Sequence, residues 1–163
     1  MSSASVPSST HSAHTPEAAL AQVLHFFEHL QPDDVSRLGT LYCADARFKD
    51  PFNEVEGVPA IARIFTHMFD TLVAPRFVIT QSVQQGTQGF ATWEFVFAPA
   101  STPQQRMTIR GATHFVFREE SGTQGSVWRV AIHRDYWDAA EELYEKLPIL
   151  GSLMRWLKRK LAS

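Results

Sequence analysis

The sequence predicts an α+β domain in which three helices precede, and pack on, one curved antiparallel sheet. Three observations carry this reading. Apolar residues recur at helical spacing three times before Pro75. After Pro75, four segments rich in β-branched and aromatic residues follow one another. Their connectors, QQGTQG, PASTPQQ and REESGTQGS, have the Gly, Pro, Ser and Gln content of hairpin loops. Helices first and strands afterwards give segregated layers, not the alternation of a parallel α/β fold.

Residues 1–14 are rich in Ser, Ala, Thr and His, a composition expected to remain a disordered tail. Thr15-Pro16-Glu17 reads as helix N-cap, first-turn proline and first-turn acid. Leu20, Val23, Leu24, Phe27 and Leu30 continue that helix. Pro32-Asp33-Asp34 breaks the chain and restarts it as a short second helix with Val35, Leu38, Leu41 and Tyr42 on one side. Residues 46–50 form a short strand that stops at Pro51. Gly57-Val58-Pro59 opens a third helix carrying Ile61, Ile64, Phe65, Met68 and Leu72.

The four long strands are expected at 76–84, 90–98, 107–117 and 127–137, and alternation assigns their faces. Trp93, Phe95 and Phe97 share one side; Thr92, Glu94 and Val96 share the other. Met107, Ile109, Thr113, Phe115 and Phe117 lie opposite Thr108, Arg110, His114 and Val116. In the last strand Ala131, His133, Asp135 and Trp137 face away from Val130, Ile132, Arg134 and Tyr136. Both of those faces mix charge with bulk, as in a strand lining a cavity on one side and an interface on the other.

The domain therefore spans 15–138, and 139–163 is an added helical segment interrupted at Pro148 and Gly151. Leu143, Leu147, Leu150, Met154, Leu157 and Leu161 form its apolar stripe; Arg155, Lys158, Arg159 and Lys160 make it basic. It suits a lid, a dimer contact or a membrane-surface helix. Four charges at about 1 kcal/mol each attract an anionic membrane only modestly, so docking on its own domain is the favoured expectation.

A formal net charge of −2 gives no reason to expect nucleic-acid binding. Cys43 is the single cysteine, which excludes an internal disulfide and a multi-cysteine metal site. The start of the chain lacks a basic and then apolar leader, and no run reaches the roughly 18 apolar residues of a membrane span. A cytoplasmic protein without cofactor or metal is expected. His25 and His29 stand at i, i+4 on a helix but lack a third ligand.

Asp50, between Phe48-Lys49 and Pro51, has two readings. It is a desolvated base beside an aromatic pocket, or it caps a turn before the proline. His133 and Asp135 stand at i, i+2 on one strand face and suit an imidazole–carboxylate pair; the alternative is a charge pair with Arg134 or a helix cap at Asp138. Trp93, Phe95, Phe97, Phe115, Phe117 and Trp137 either line a pocket for a flat apolar molecule or fill a solid core. Glu94, Arg110, His114 and Arg134, on the outer face, suit cross-strand ion pairs or a homodimer interface.

LYCADARFKDPFNEVEG (41–57), followed by a helix and four strands ending in Tyr136-Trp137, resembles the nuclear transport factor 2-like superfamily and, within it, its SnoaL-like and ketosteroid-isomerase-like branch. The resemblance implies a cone-like α+β barrel around a cavity. It implies Asp50 as the general base, with Asp135 and Asp138 near the final-strand acid of SnoaL-type cyclases. The isomerases' oxyanion donors fall on Phe26 and Thr113, while their supporting tyrosines fall on Tyr42 and Phe65. Phenylalanine donates no hydrogen bond, and losing one oxyanion donor costs about 10²–10³ in rate, which argues against a steroid isomerase in the strict sense. The resulting expectation has Asp50, His133 and Asp135 as catalytic candidates. Phe26, Tyr42, Phe65, Trp93, Phe95, Phe97, Thr113, Phe115 and Trp137 would surround a small hydrophobic molecule. A non-catalytic ligand-binding or dimerisation module is the alternative.

Overall fold

The computed structural model describes residues 13–122 and 125–139. Helix α1 (Pro16–Glu28) starts where its cap predicts: Thr15 Oγ1 accepts the Ala18 N–H at 3.1 Å. Its inner stripe buries Ala19, Leu20, Val23 and Phe27. The expected short second helix is a 3-10 helix (Pro32–Thr40). Val35, Leu38 and Leu41 recur every third residue and all are buried, which matches three residues per turn. Tyr42, counted with that helix above, begins strand β1 (Tyr42–Lys49). A three-residue strand β2 (Glu54–Glu56), not anticipated, folds back on β1 before α2 (Val58–Thr71). Gly57 precedes α2 with φ of +91°, a conformation that favours glycine.

Strands β3 (Leu72–Gln85), β4 (Gln88–Pro99), β5 (Met107–Gly122) and β6 (Gly125–Tyr136) follow as an antiparallel meander. The six strands form one sheet in the order β2-β1-β6-β5-β4-β3. It is not wholly antiparallel, because β1 runs parallel to β6. α2 and the three strands β3 to β5 lie between those two in the chain, so no hairpin dictates their relative direction.

Alternation holds along β4 and β5 but breaks once on β6. Phe117 pairs with Val130 and Val116 with Ile132, leaving Ala131 as the extra residue of a β-bulge. Val130 therefore turns inward and is 1% exposed, although strict alternation had placed it outside with Ile132. Beyond the bulge His133 and Asp135 pair with Phe115 and Thr113, on the inner face as expected. The helices cover that face, and Leu38, Tyr42, Cys43, Ile61, Phe115 and Val130 are its most deeply buried side chains.

Residues 13 and 14, counted with the tail above, are among the described residues. The Trp128 N–H donates to the Ala13 carbonyl at 2.8 Å, and Ala13 is buried. The rest of the expected tail, and the amphipathic extension beyond residue 139, lie outside the described residues. No described helix is long and apolar enough to cross a membrane.

Candidate functional site

Four strands bring one polar chain into the apolar interior. Tyr42, at the start of β1, has its hydroxyl 2.6 Å from His133 Nδ1. His133 Nε2 lies 2.9 Å from Asp135 Oδ1. The Thr113 hydroxyl donates to the same oxygen at 2.5 Å and accepts the Trp93 Nε1–H at 2.8 Å. Donor chemistry fixes the direction. A carboxylate accepts, so His133 donates through Nε2, and its Nδ1 is left to accept from Tyr42. The i, i+2 spacing on β6 places His133 and Asp135 on one face, and the β5 register sets Thr113 directly opposite Asp135. Phe27, Phe48 and Phe115 pack against the His133 ring at 4.7–5.6 Å between centroids.

Complete burial, and secondarily the charge of Asp135, holds the Tyr42 phenol well above its ordinary pKa. It thus stays a neutral donor. Asp135 brings the carboxylate of this chain to larger open space. Its side chain keeps 15% exposure, and its second oxygen accepts nothing from the described residues.

That space is a cleft of about 340 Å³ walled by Phe52, Phe77, Trp93, Phe95, Phe97 and Trp137, with Ile64, Met68, Leu72 and Ile109 between them. Asp50 and Asp135 are its charged lining residues. A separate void of about 20 Å³ lies deeper, behind Phe77, Trp93 and Asp135, and is too small for an organic ligand. On the other side of Asp50, Asp135 and Trp137 runs an open groove that also includes Lys49 and Arg134.

The structure distributes the expected site residues unevenly. Trp93, Phe95, Phe97, Trp137, Asp50 and Asp135 do meet in the cleft. Phe65, Thr113 and Phe115 line the deeper void and not the cleft; His133 lines that void and also an open groove beside Arg47, Lys49 and Glu54. Tyr42 touches neither space, and its role is to bond His133. Phe26 is displaced by its neighbour, since the inner stripe of α1 passes through Phe27, which packs on Phe65 at 5.3 Å. Asp50 realises the turn-capping reading. Its Oδ1 accepts the N–H groups of Phe52 and Asn53 at 2.7 and 2.6 Å, and both oxygens accept from Asn53 Nδ2. Asp135 pairs with His133 and Thr113, not with Arg134, which lies over the Tyr136 ring.

Phe52 and Phe77 escaped the sequence reading. Phe77 had a signal, since it pairs with Phe95 in the β3–β4 register. Phe52 follows the proline in a loop, where no periodicity points.

Among the described residues, Cys43, Asp45 and Glu120 hold potential metal-ligand atoms within 4.8 Å of one another. Arg118 bonds both carboxylates there, so a guanidinium already supplies the positive charge. Burial first, and Glu120 next, push the Cys43 thiol up to about 11, which disfavours the thiolate a metal needs.

Residues 23–124 match the model of the SnoaL-like domain family. No curated protein sequence was found to match. Among solved structures, the chain is similar to a protein of ketosteroid isomerase-like fold from Catenulispora acidiphila in complex with trimethylamine, at TM-score 0.62 and 18% identity, covering 79% of this chain and 91% of that one. An LEH-like epoxide hydrolase from M. tuberculosis aligns at TM-score 0.62 and 16% identity, covering 91% and 96%. A candidate polyketide cyclase from Xanthomonas campestris aligns at TM-score 0.59 and 16% identity, covering 76% and 92%. Identities this low speak for the fold alone.

Proposed function

The chain belongs to the SnoaL-like family, and from that premise we propose that it is an acid–base enzyme acting on a small, largely apolar molecule held in the aromatic cleft. Asp135 is the proton acceptor. The observation that carries this reading is the asymmetry of its carboxylate. One oxygen is fixed by His133 and Thr113, and the other has no partner among the described residues on a cleft wall. A base needs one oxygen free and the group held still. His133 and Tyr42 are positioning residues behind it. Asp50, engaged by three donors of its own loop, shapes the mouth of the cleft and does not carry the proton transfer.

The test is exchange of the protons beside the carbonyl in a panel of small apolar ketones in D₂O, followed by proton NMR. Asp135→Asn should lose about 10²–10⁴ of any acceleration, the usual worth of a positioned base. Asp50→Asn should keep most of it. Saturable binding without exchange of any compound would favour a second reading, a ligand-binding module without catalysis. One observation supports that alternative: Thr113, at the position of an oxyanion donor, already spends its proton on Asp135.

We also propose a homodimer through the outer sheet face, where Phe90, Ile132 and Tyr136 remain exposed among Arg110, His114 and Arg134.

A further inference from the structure

We infer that the molecule taken by the cleft is an organic cation, an alkyl- or arylammonium whose nitrogen lies near Asp50 and Asp135 with its substituents against the aromatic walls. The inference rests on the cleft reading above and adds the ligand's charge to it.

The lining has a one-sided polarity. Two carboxyl groups enter the cleft, and no lysine, arginine or histidine does, among the described residues that form it. The cations of the adjoining groove have other engagements: Lys49 Nζ is 2.5 Å from Glu54 Oε2, and the Arg134 guanidinium lies 4.9 Å over the Tyr136 ring. Neutral side-chain donors are few, the Trp137 indole N–H being one of three. The Trp93 N–H is given to Thr113, and the Thr71 hydroxyl to the His67 carbonyl. A ligand that arrives as an anion would meet two carboxylates and no countercharge among the described residues of the lining. A cation meets the opposite situation.

The apolar part of the wall points the same way. Phe52 and Trp137 stand nearly edge to face at 5.4 Å beside Asp50. Phe77 and Phe95 stack at 4.5 Å, with Trp93 across Phe77 at 5.7 Å and Phe97 beside Phe95 at 5.0 Å. Aromatic faces carry negative quadrupole density and attract a desolvated ammonium. Such a wall beside two carboxylates tolerates a cation that an aliphatic wall would not. About 340 Å³ accommodates a drug-sized or smaller molecule.

The experiment uses the full chain and two probes of nearly equal shape, benzyltrimethylammonium and neopentylbenzene, followed by quenching of tryptophan fluorescence. The ammonium should bind at least about tenfold tighter, and its affinity should fall with added salt. Asp50→Asn, which preserves the loop acceptor, should remove most of that advantage while leaving neopentylbenzene unchanged; Asp135→Asn gives the same comparison if the first variant folds poorly. Equal binding of the two probes, or an advantage untouched in both variants, overturns the cationic ligand but leaves the cleft reading intact. Binding of neither probe overturns both.

Discussion

Tyr42 and His133 are 91 positions apart in the chain, yet the phenol oxygen and Nδ1 meet at 2.6 Å in the interior. The bond links the first residue of β1 to the parallel strand β6, and it fixes which imidazole nitrogen faces Asp135. Replacing Tyr42 by Phe keeps the packing and strands a buried acceptor. A loss of about 1–3 kcal/mol in urea unfolding is expected.

The same phenol should give the protein an alkaline limit. Burial raises its folded-state pKa above the ordinary 10.0, so the neutral form is favoured in the folded protein. Stability from this source is complete below that ordinary value. It falls as pH rises towards the folded value, because the unfolded chain releases the proton first. Denaturation midpoints measured from neutral pH to beyond the phenol range should show this decline in the native protein and lack it in Tyr42→Phe.

Thr113→Val removes a buried hydroxyl that serves two partners. Trp93 Nε1–H loses its acceptor and Asp135 loses one of two tethers, so about 1–3 kcal/mol of stability should go. Thr113→Ser, which keeps the hydroxyl, should recover most of it and restore the native tryptophan emission.

Gly111 lies opposite Trp93 in the ladder, and a Cβ there would come 2.4 Å from the indole Cη2. The ring must move if Gly111→Ala is to fold. The expected outcome is a loss of about 1–3 kcal/mol, a shifted tryptophan emission and a changed affinity for cleft probes. Unchanged emission would show that the indole does not depend on that glycine.

Ile132→Glu, on the outer face and 38% exposed, tests the proposed dimer without touching the cleft. Sedimentation should show a dimer for the native chain and a monomer for the variant, at unchanged melting temperature. A native monomer would remove the proposal.

Much of the fold was legible locally because its signals are short-range. Thr15-Pro16 announced α1, the three-residue recurrence of Val35, Leu38 and Leu41 contained the 3-10 helix, and alternation placed Trp93, Phe95 and Phe97 on one side. His133 and Asp135 were recognisable as a pair because i, i+2 on a strand is itself a contact geometry. The parallel pairing of β1 with β6 was not legible, since nothing in either segment specifies direction. The Ala131 bulge escaped for a similar reason: it is visible only once Phe117 and Val130 are seen opposite each other.

The sequence by itself determined that a strand stops next to Asp50, before a proline, and that aromatics crowd one sheet face. Both follow from chain-local chemistry. Which carboxylate keeps an oxygen unengaged among the described residues was decided by tertiary structure alone. Asp50 is occupied by donors from its own loop, and Asp135 is anchored through one oxygen by residues from β5 and β6. Those partners are set by strand register, a property of two segments together, so neither stretch of sequence contains it.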